Sequence, residues 1–147
     1  MNSEEAYNET KKMTDDLVVE YCKYIQEIKG GVWSSKEMPQ YAPMDYMIFQ
    51  NGNLNHYLEV KCRKHKYLHY DNEKVPVSKY CFGYTFEKTR NIKSYLLIKW
   101  EDKVGITKLS NPIKVKEMVA RYDRGAGKDL YAFYDYDQFK LLPIWFI

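Results

Sequence analysis

The sequence predicts an α/β fold, a mixed central sheet flanked by helices, and three observations carry that prediction. An apolar stripe of helical period runs through the first thirty residues, short segments rich in β-branched and aromatic residues follow, and a second helical candidate divides those segments. The order helix, strands, helix, strands is that of helices packed on a mixed sheet. At 147 residues the chain fits one domain, 1–147, and can bury a real core. No internal repeat or low-complexity linker divides it.

Taken in order, residues 3 to about 29 read as helix because Leu17, Val18, Tyr21, Ile25 and Ile28 recur at helical spacing. Ser3 or Thr14 can cap the start, so one helix and two helices broken near Thr14 both fit; Gly30-Gly31 ends the segment. Val32-Trp33 is a short strand, and Pro39 and Pro43 bracket an irregular stretch. Tyr46 to Gln50 and Leu54 to Arg63 form a hairpin around Asn51-Gly52-Asn53, followed by a basic, polar loop over 64–76. Ser78 to Asn91 is ambiguous: Tyr80 to Phe86 has strand-like composition and Gly83 costs a helix about 1 kcal/mol, yet Ser78 is a good helix cap. Ser94 to Trp100 is apolar enough for a central strand, with Val104 to Leu109 as its hairpin partner and Asn111-Pro112 as the break. A short helix over Val115 to Tyr122, a loop over Arg124 to Lys128, a strand over Leu130 to Tyr134 and an apolar tail through Trp145 and Phe146 complete the reading.

Bulk properties narrow the function classes. The net charge of +3 permits nucleic-acid binding without arguing for it. The 15 tyrosines include candidates for base stacking, though strand and core positions account for most. Three irregularly spaced cysteines, Cys22, Cys62 and Cys81, are no disulfide framework and suit a reducing compartment. The acidic N-terminus lacks a signal-peptide core, and no apolar run approaches the ~18 residues of a membrane span. The expectation is an intracellular, cytoplasmic protein. Only four of the 23 basic residues are arginine (Arg63, Arg90, Arg121 and Arg124), a bias that AT-rich coding produces and that a phage-encoded origin fits.

The informative triplet is Glu59-Val60-Lys61, which closes the second hairpin strand and follows Asp45 across the turn. Directly paired residues of antiparallel strands point to one face. A two-residue Asn51-Gly52 turn pairs Asp45 with Leu58 and separates the acids. A three-residue loop, Asn51-Gly52-Asn53, pairs Asp45 with Glu59. In that second register Asp45, Glu59, Lys61 and Arg63 share one face, while Tyr46, Ile48, Leu58 and Val60 share the other, so the hydrophobic pattern favours it. Two neighbouring carboxylates repel unless a cation lies between them. Mg²⁺ takes such oxygen ligands together with phosphate oxygens and makes hydroxide available for in-line attack. Lys61 can orient that water or stabilise charge, and Arg63 can grip a neighbouring phosphate.

The bare Glu-x-Lys pattern occurs four times, at Glu9, Glu27, Glu59 and Glu101, but only Glu59 has both a strand and an upstream acid. Pro43-Met44-Asp45, the hairpin, and Glu59-Val60-Lys61-Cys62-Arg63 together resemble the active-site segment of the PD-(D/E)XK nuclease superfamily, which includes restriction endonucleases, phage exonucleases and Holliday-junction resolvases. Met44, between Pro43 and Asp45, departs from a Pro-Asp pair that is itself loose in that family. The resemblance implies a restriction-endonuclease-like αβββαβ core over residues 3 to about 110. It implies that Asp45 and Glu59 bind Mg²⁺ (or Mn²⁺) with the Val60 carbonyl, that Lys61 serves the attacking water, and that a first-helix glutamate assists, Glu20 being the candidate and Glu27 the rival. Lys79 stands where the helix after the motif often carries a basic residue that reaches the site, which tips 78–91 towards helix. The substrate expected is DNA. Many nucleases of this resemblance act as dimers, so a homodimer is expected as one arrangement, with Leu141 to Ile147 either its interface or the last piece of core.

The loop Arg63 to Tyr70 interleaves basic and aromatic residues, so Lys64 and Lys66 join Arg63 and Lys79 as nucleic-acid-binding candidates. Cys62, His65, His69 and Cys81 match no common zinc module, and Cys62 belongs to the core side of its strand. His56 falls on the apolar face as a core histidine. Gly125-Ala126-Gly127-Lys128 lacks the full phosphate-loop pattern. The sequence thus reads as a metal-dependent nuclease cutting DNA. The alternative is a non-catalytic nucleic-acid-binding or protein-interaction module on the same scaffold, and a zinc-stabilised structural protein is a third reading.

Overall fold

The structure, a computed structural model, describes residues 2–119 and 128–144. Its first element is one unbroken helix, α1 (Ser3–Lys29). Neither expected cap is used: Asn2 caps it, accepting from the Glu5 N–H at 2.8 Å while Glu5 reaches back to the Asn2 N–H. Thr14 instead returns its hydroxyl to the Thr10 carbonyl at 2.8 Å, inside the helix. Gly30, at φ 70°, ends α1 where a side chain would be strained.

Strands β1 (Trp33–Glu37), β2 (Tyr46–Gln50) and β3 (Asn53–Cys62) follow as an antiparallel meander. β4 (Glu73–Pro76) emerges from what reads in sequence as loop, and α2 (Val77–Arg90) then crosses to β5 (Lys93–Lys99), which lies parallel to β3. β6 (Val104–Lys108) returns antiparallel to β5. β7 (Lys114–Val119) and β8 (Lys128–Tyr134) pair with each other, and a 3-10 turn at Tyr136–Gln138 leads to β9 (Lys140–Leu142) beside β6. The main sheet has the order β1-β2-β3-β5-β6-β9, and a second, three-stranded sheet has the order β4-β8-β7. The α1-β1-β2-β3-α2-β5 path is the expected αβββαβ unit with β4 inserted.

Two further local expectations are overturned. Residues from Val115 form strand, not the short helix: Val115 and Glu117 lie opposite Ala132 and Leu130, and β8 supplies the pairing that a helix would have had to find within itself. The rest of that expectation, through Tyr122, and the Arg124–Gly127 part of the expected loop lie outside the described residues; Lys128 opens β8. Ser78 is likewise not the cap of α2, which starts one residue earlier after Pro76.

Sheet alternation splits the core into two layers. On one face Leu17, Val18, Tyr21, Cys22 and Ile25 of α1 pack on Tyr46, Ile48, Leu58, Val60 and Leu97. On the other, Tyr57, Leu96 and Ile98 pack with Val75, Ala132 and Tyr134, with Phe82 and Phe86 of α2 against them. β5 thus contributes to both layers, as its continuous apolar run requires. Gly83 explains how a weakly amphipathic α2 sits so close: a Cβ there would lie 3.2 Å from the Cβ atoms of both Leu109 and Ser94. Of the apolar tail, Leu142 and Ile144 are core residues; Trp145 to Ile147 lie outside the described residues. His56 is a core histidine, 2.8 Å from the Tyr21 hydroxyl, with burial and then the Lys29 charge holding its pKa down at about 4. No described helix is long and apolar enough to cross a membrane.

Gly105 offers a test of this packing. A Cβ at that position would lie 2.9 Å from the Trp100 ring and 3.3 Å from the Phe139 Cβ. Gly105→Ala is expected to cost about 1–3 kcal/mol by overpacking, read as a lowered urea midpoint at unchanged slope.

Candidate active site

The geometry begins in the β2–β3 turn. Gln50 lies opposite Asn53, so the turn is the two-residue one, with Asn51 at φ 51° and Gly52 at φ 82°, the positive-φ pair of a tight hairpin. Taken alone this turn would set Asp45 against Leu58. The register shifts between Ile48 and Phe49, however: Phe49 faces Leu54 while Ile48 faces His56, leaving Asn55 as the extra residue of a β-bulge. Beyond the bulge Tyr46 faces Leu58, which brings Asp45 beside the Glu59-Val60 segment. The three-residue loop expected from sequence is therefore replaced by a shorter turn plus a bulge, which together set Tyr46 against Leu58 as the longer loop would have done.

Asp45 lies just before the start of β2. Its N–H donates to the Leu58 carbonyl at 3.1 Å, and its Oδ2 accepts the Val60 N–H at 2.8 Å. In a strand the N–H and C=O of one residue point the same way. The Val60 carbonyl therefore lies on the edge where Asp45 is, past the last β2 pairing.

Glu59 is only 1% exposed, under the start of α2. Lys61 Nζ is 3.2 Å from its Oε2 and Lys79 Nζ is 3.4 Å from its Oε1. Lys79 directs its hydrogen bond elsewhere, to the Pro43 carbonyl at 2.8 Å, so it ties α2 to the loop that delivers Asp45. Glu59 Oε1 is thus buried without a hydrogen bond, although a cation stands near it. Burial, and then the negative charge of Asp45, push the Glu59 pKa up against the opposing pull of Lys61 and Lys79.

Two carboxylates of which one has an unsatisfied buried oxygen, with a backbone carbonyl beside them, form a hard-oxygen donor set that fits a divalent cation. Asp45, Glu59 and the Val60 carbonyl are the residues that would hold it. No group of three or more His, Cys, Asp or Glu side chains among the described residues forms a metal cluster. The zinc arrangement is not assembled: Cys62 packs towards α1, 3.9 Å from the Thr14 hydroxyl, and Cys81 is exposed on α2.

A cleft of about 430 Å³ opens at this edge, bounded by Asp45, Val60 and Lys61 on the sheet side and by Thr10, Lys11 and Thr14 of α1. Glu20 is not brought there. It pairs with Lys23 at 3.3 Å on its own helix and, at six residues past Thr14, stands about 9 Å further along the axis. Glu27 is exposed, nearly two further turns along. The α1 residues that sequence reasoning missed carried a signal: Tyr7, Thr10, Thr14, Leu17 and Tyr21 continue one stripe at three- and four-residue spacing, with polar members only where the helix passes the cleft.

Arg63 has a partner other than phosphate. Its Nε is 3.1 Å from Glu73 Oε2 and its Nη2 donates to the Lys74 carbonyl at 3.0 Å. Lys64 and Lys66 are exposed on the loop after β3 and form no ion pair among the described residues. Glu73 itself, unmarked in the sequence, is a buried hub. Its Oε1 accepts from Trp100 Nε1 at 2.7 Å and from the Tyr136 hydroxyl at 3.3 Å, and lies 3.5 Å from His65 Nε2.

The site makes a pH prediction. A cation competes with the proton on Glu59, so divalent-metal affinity is expected to be weak where the carboxyl is neutral. It should rise with pH until Glu59 ionises, with a midpoint above that of an ordinary glutamate. Calorimetric titration with Mn²⁺ between about pH 5 and about pH 8 reads this directly. A flat profile would remove Glu59 from the ligand set.

Comparisons with known proteins bear on the fold and the family. The chain shares its fold with a Holliday junction resolvase, Hjc, of Archaeoglobus fulgidus, at TM-score 0.54 and 17% identity over 90% of each chain. No curated protein matches the sequence. The sequence model of a family described as "Phage putative PDDEXK endonuclease" matches residues 9–140. That span contains Asp45, Glu59, Lys61 and Lys79, and the chain belongs to this phage PDDEXK endonuclease family.

Proposed function

We propose that the protein is a metal-dependent endonuclease that hydrolyses DNA phosphodiesters with Mg²⁺, acting in the cytoplasm of a phage-infected host. The observation that carries the reading is the buried, hydrogen-bond-free Oε1 of Glu59 across from Asp45. A carboxylate left in that state costs stability, and a cation at this edge offsets the cost.

When bound, the divalent cation supplies Lewis-acid polarisation of the phosphate and a nucleophile at neutral pH. The chain's own residues do the rest. Asp45, held by its bond from the Val60 N–H, and Glu59, held by burial, lie near enough for the charge of one to act on the other, and would share the cation. Lys61, whose side chain is 31% exposed, stands between the buried carboxylate and the open cleft. There it orients the attacking water and stabilises charge that builds on the phosphate oxygens. Lys79 offsets the repulsion between Glu59 and Asp45, and it positions the 39–44 loop through Pro43. Exposed Lys64 and Lys66 meet the phosphate backbone nearby. Cutting both strands of a duplex takes two such sites, which a homodimer supplies.

The test is a substrate panel of linear duplex, single strand, nicked circle, four-way junction and RNA, incubated with Mg²⁺, Mn²⁺ or EDTA. Metal-dependent internal cuts in DNA are the expected result. A folded protein that binds DNA in a salt-sensitive, metal-indifferent way and cuts nothing would instead be a binding module on this scaffold.

A further inference from the structure

A second cleft, of about 700 Å³, begins on the other side of Lys61, which lines both cavities. Its far wall is the small β4-β8-β7 sheet, which the active-site edge does not need. We propose that this cleft receives an unpaired nucleotide of the strand being cut, so that the substrate carries single-stranded DNA beside duplex; the proposal rests on the nuclease reading of Asp45, Glu59 and Lys61.

Size is the first argument. The volume lies in the ~300–1,000 Å³ range of pockets that enclose single small molecules. It takes a base with its sugar and phosphate, not a paired helix. Chemistry is the second. Lys61, Arg63 and Lys74 bring positive charge to the lining, and of its two acids Glu73 is buried against Arg63 while Asp71 stands exposed. Tyr70 is 59% exposed, yet near-perpendicular contacts to His65 and His69, at centroid distances of 4.7 and 4.6 Å, hold it in place. On the opposite wall Lys74 Nζ sits 4.7 Å from the centre of the Tyr131 ring. Aromatic rings interleaved with cations are what a single strand uses, because each unpaired base has a free π-face and each phosphate a charge. Bases inside a duplex offer no such face. Continuity is the third argument: a strand whose phosphate lies at Lys61 enters this cleft with its next residue.

The test compares duplex DNA carrying a short thymidine tail with the same duplex blunt-ended. Affinity is measured by fluorescence anisotropy in EDTA, and cleavage in Mg²⁺ in parallel. The tailed duplex is expected to bind about tenfold more tightly, and Tyr70→Ala to remove most of that difference. Lys74→Ala should weaken tailed binding and lower its salt dependence. Both side chains are exposed, so the variants keep the fold, which a thermal melt confirms. Equal affinity for tailed and blunt DNA overturns the proposal, as does a preference that survives both substitutions. Cutting without tail preference would remove the subsite and leave the nuclease. Tail preference that Tyr70→Ala abolishes, in a protein that cuts nothing, would leave the cleft as a single-strand site and remove the nuclease reading.

Discussion

Lys61→Ala, Asp45→Asn and Glu59→Gln are each expected to lower the rate of DNA cleavage by about 10²–10⁴-fold, the range that a positioned acid–base or electrostatic group supplies. The three losses should not multiply, because the groups act on one reaction centre. Lys61→Ala removes the cation between the buried carboxylate and the open cleft and leaves both carboxylates in place, so Mn²⁺ should still bind. Asp45→Asn and Glu59→Gln should lose both cutting and metal. Single-turnover cleavage beside metal titration separates these cases. A Lys61→Ala enzyme cutting at the wild-type rate would sink the assignment.

Glu59→Gln carries a second expectation that guards against misfolding as the explanation. The Glu59 pKa in the fold lies above the ordinary glutamate value of 4.5. A raised carboxyl pKa means the fold prefers the neutral form, so the metal-free protein loses stability as pH rises from 4.5 through the folded-state value. Above that value the cost is fully present. At neutral pH the neutral glutamine should therefore leave the apo protein at least as stable as wild type. Loss of activity without loss of melting temperature is the expected pair of results.

Glu73→Ala is the substitution expected to damage the fold most. It strands the Arg63 guanidinium beside a buried vacancy and removes the acceptor of the buried Trp100 N–H and the Tyr136 hydroxyl. Removing the buried member of this partly exposed pair and the acceptor of a buried N–H costs about 2–4 kcal/mol, a large share of the ~5–15 kcal/mol that holds a domain together. Glu73→Gln keeps an acceptor for Trp100 and should cost less, so the difference between the two variants in urea measures the charged part. Arg63 is two residues from Lys61 on the same strand face, so any surviving Glu73→Ala protein should also cut more slowly. Full stability in Glu73→Ala would show that the hub is unimportant.

The hairpin and its acids were legible because strand alternation is written in adjacent residues. Ile48, Leu58 and Val60 must face the α1 layer, which sends Glu59 and Lys61 to the other face of β3. The turn itself was not legible. Asn51-Gly52-Asn53 suits two- and three-residue loops alike, and the bulge at Asn55 that corrects the shorter one arises from packing both strands at once. Lys79 was found through the family resemblance and not through local pattern, since only the docking of α2 brings it to Glu59.

The sequence by itself determined a helical segment ending near residue 29, the β2–β3 hairpin, the central β5 and the common face of Glu59 and Lys61, because each depends on a period that neighbouring residues display. Only the tertiary structure decided that Val115 onward is strand, that Glu73 is a buried hub, that Arg63 is taken by it, and that Thr10 and Thr14, rather than Glu20, face the cleft. The physical reason is the same each time: an edge strand, a buried carboxylate and a helix's cleft-facing turn are defined by partners distant in sequence, and no local pattern encodes which partner arrives.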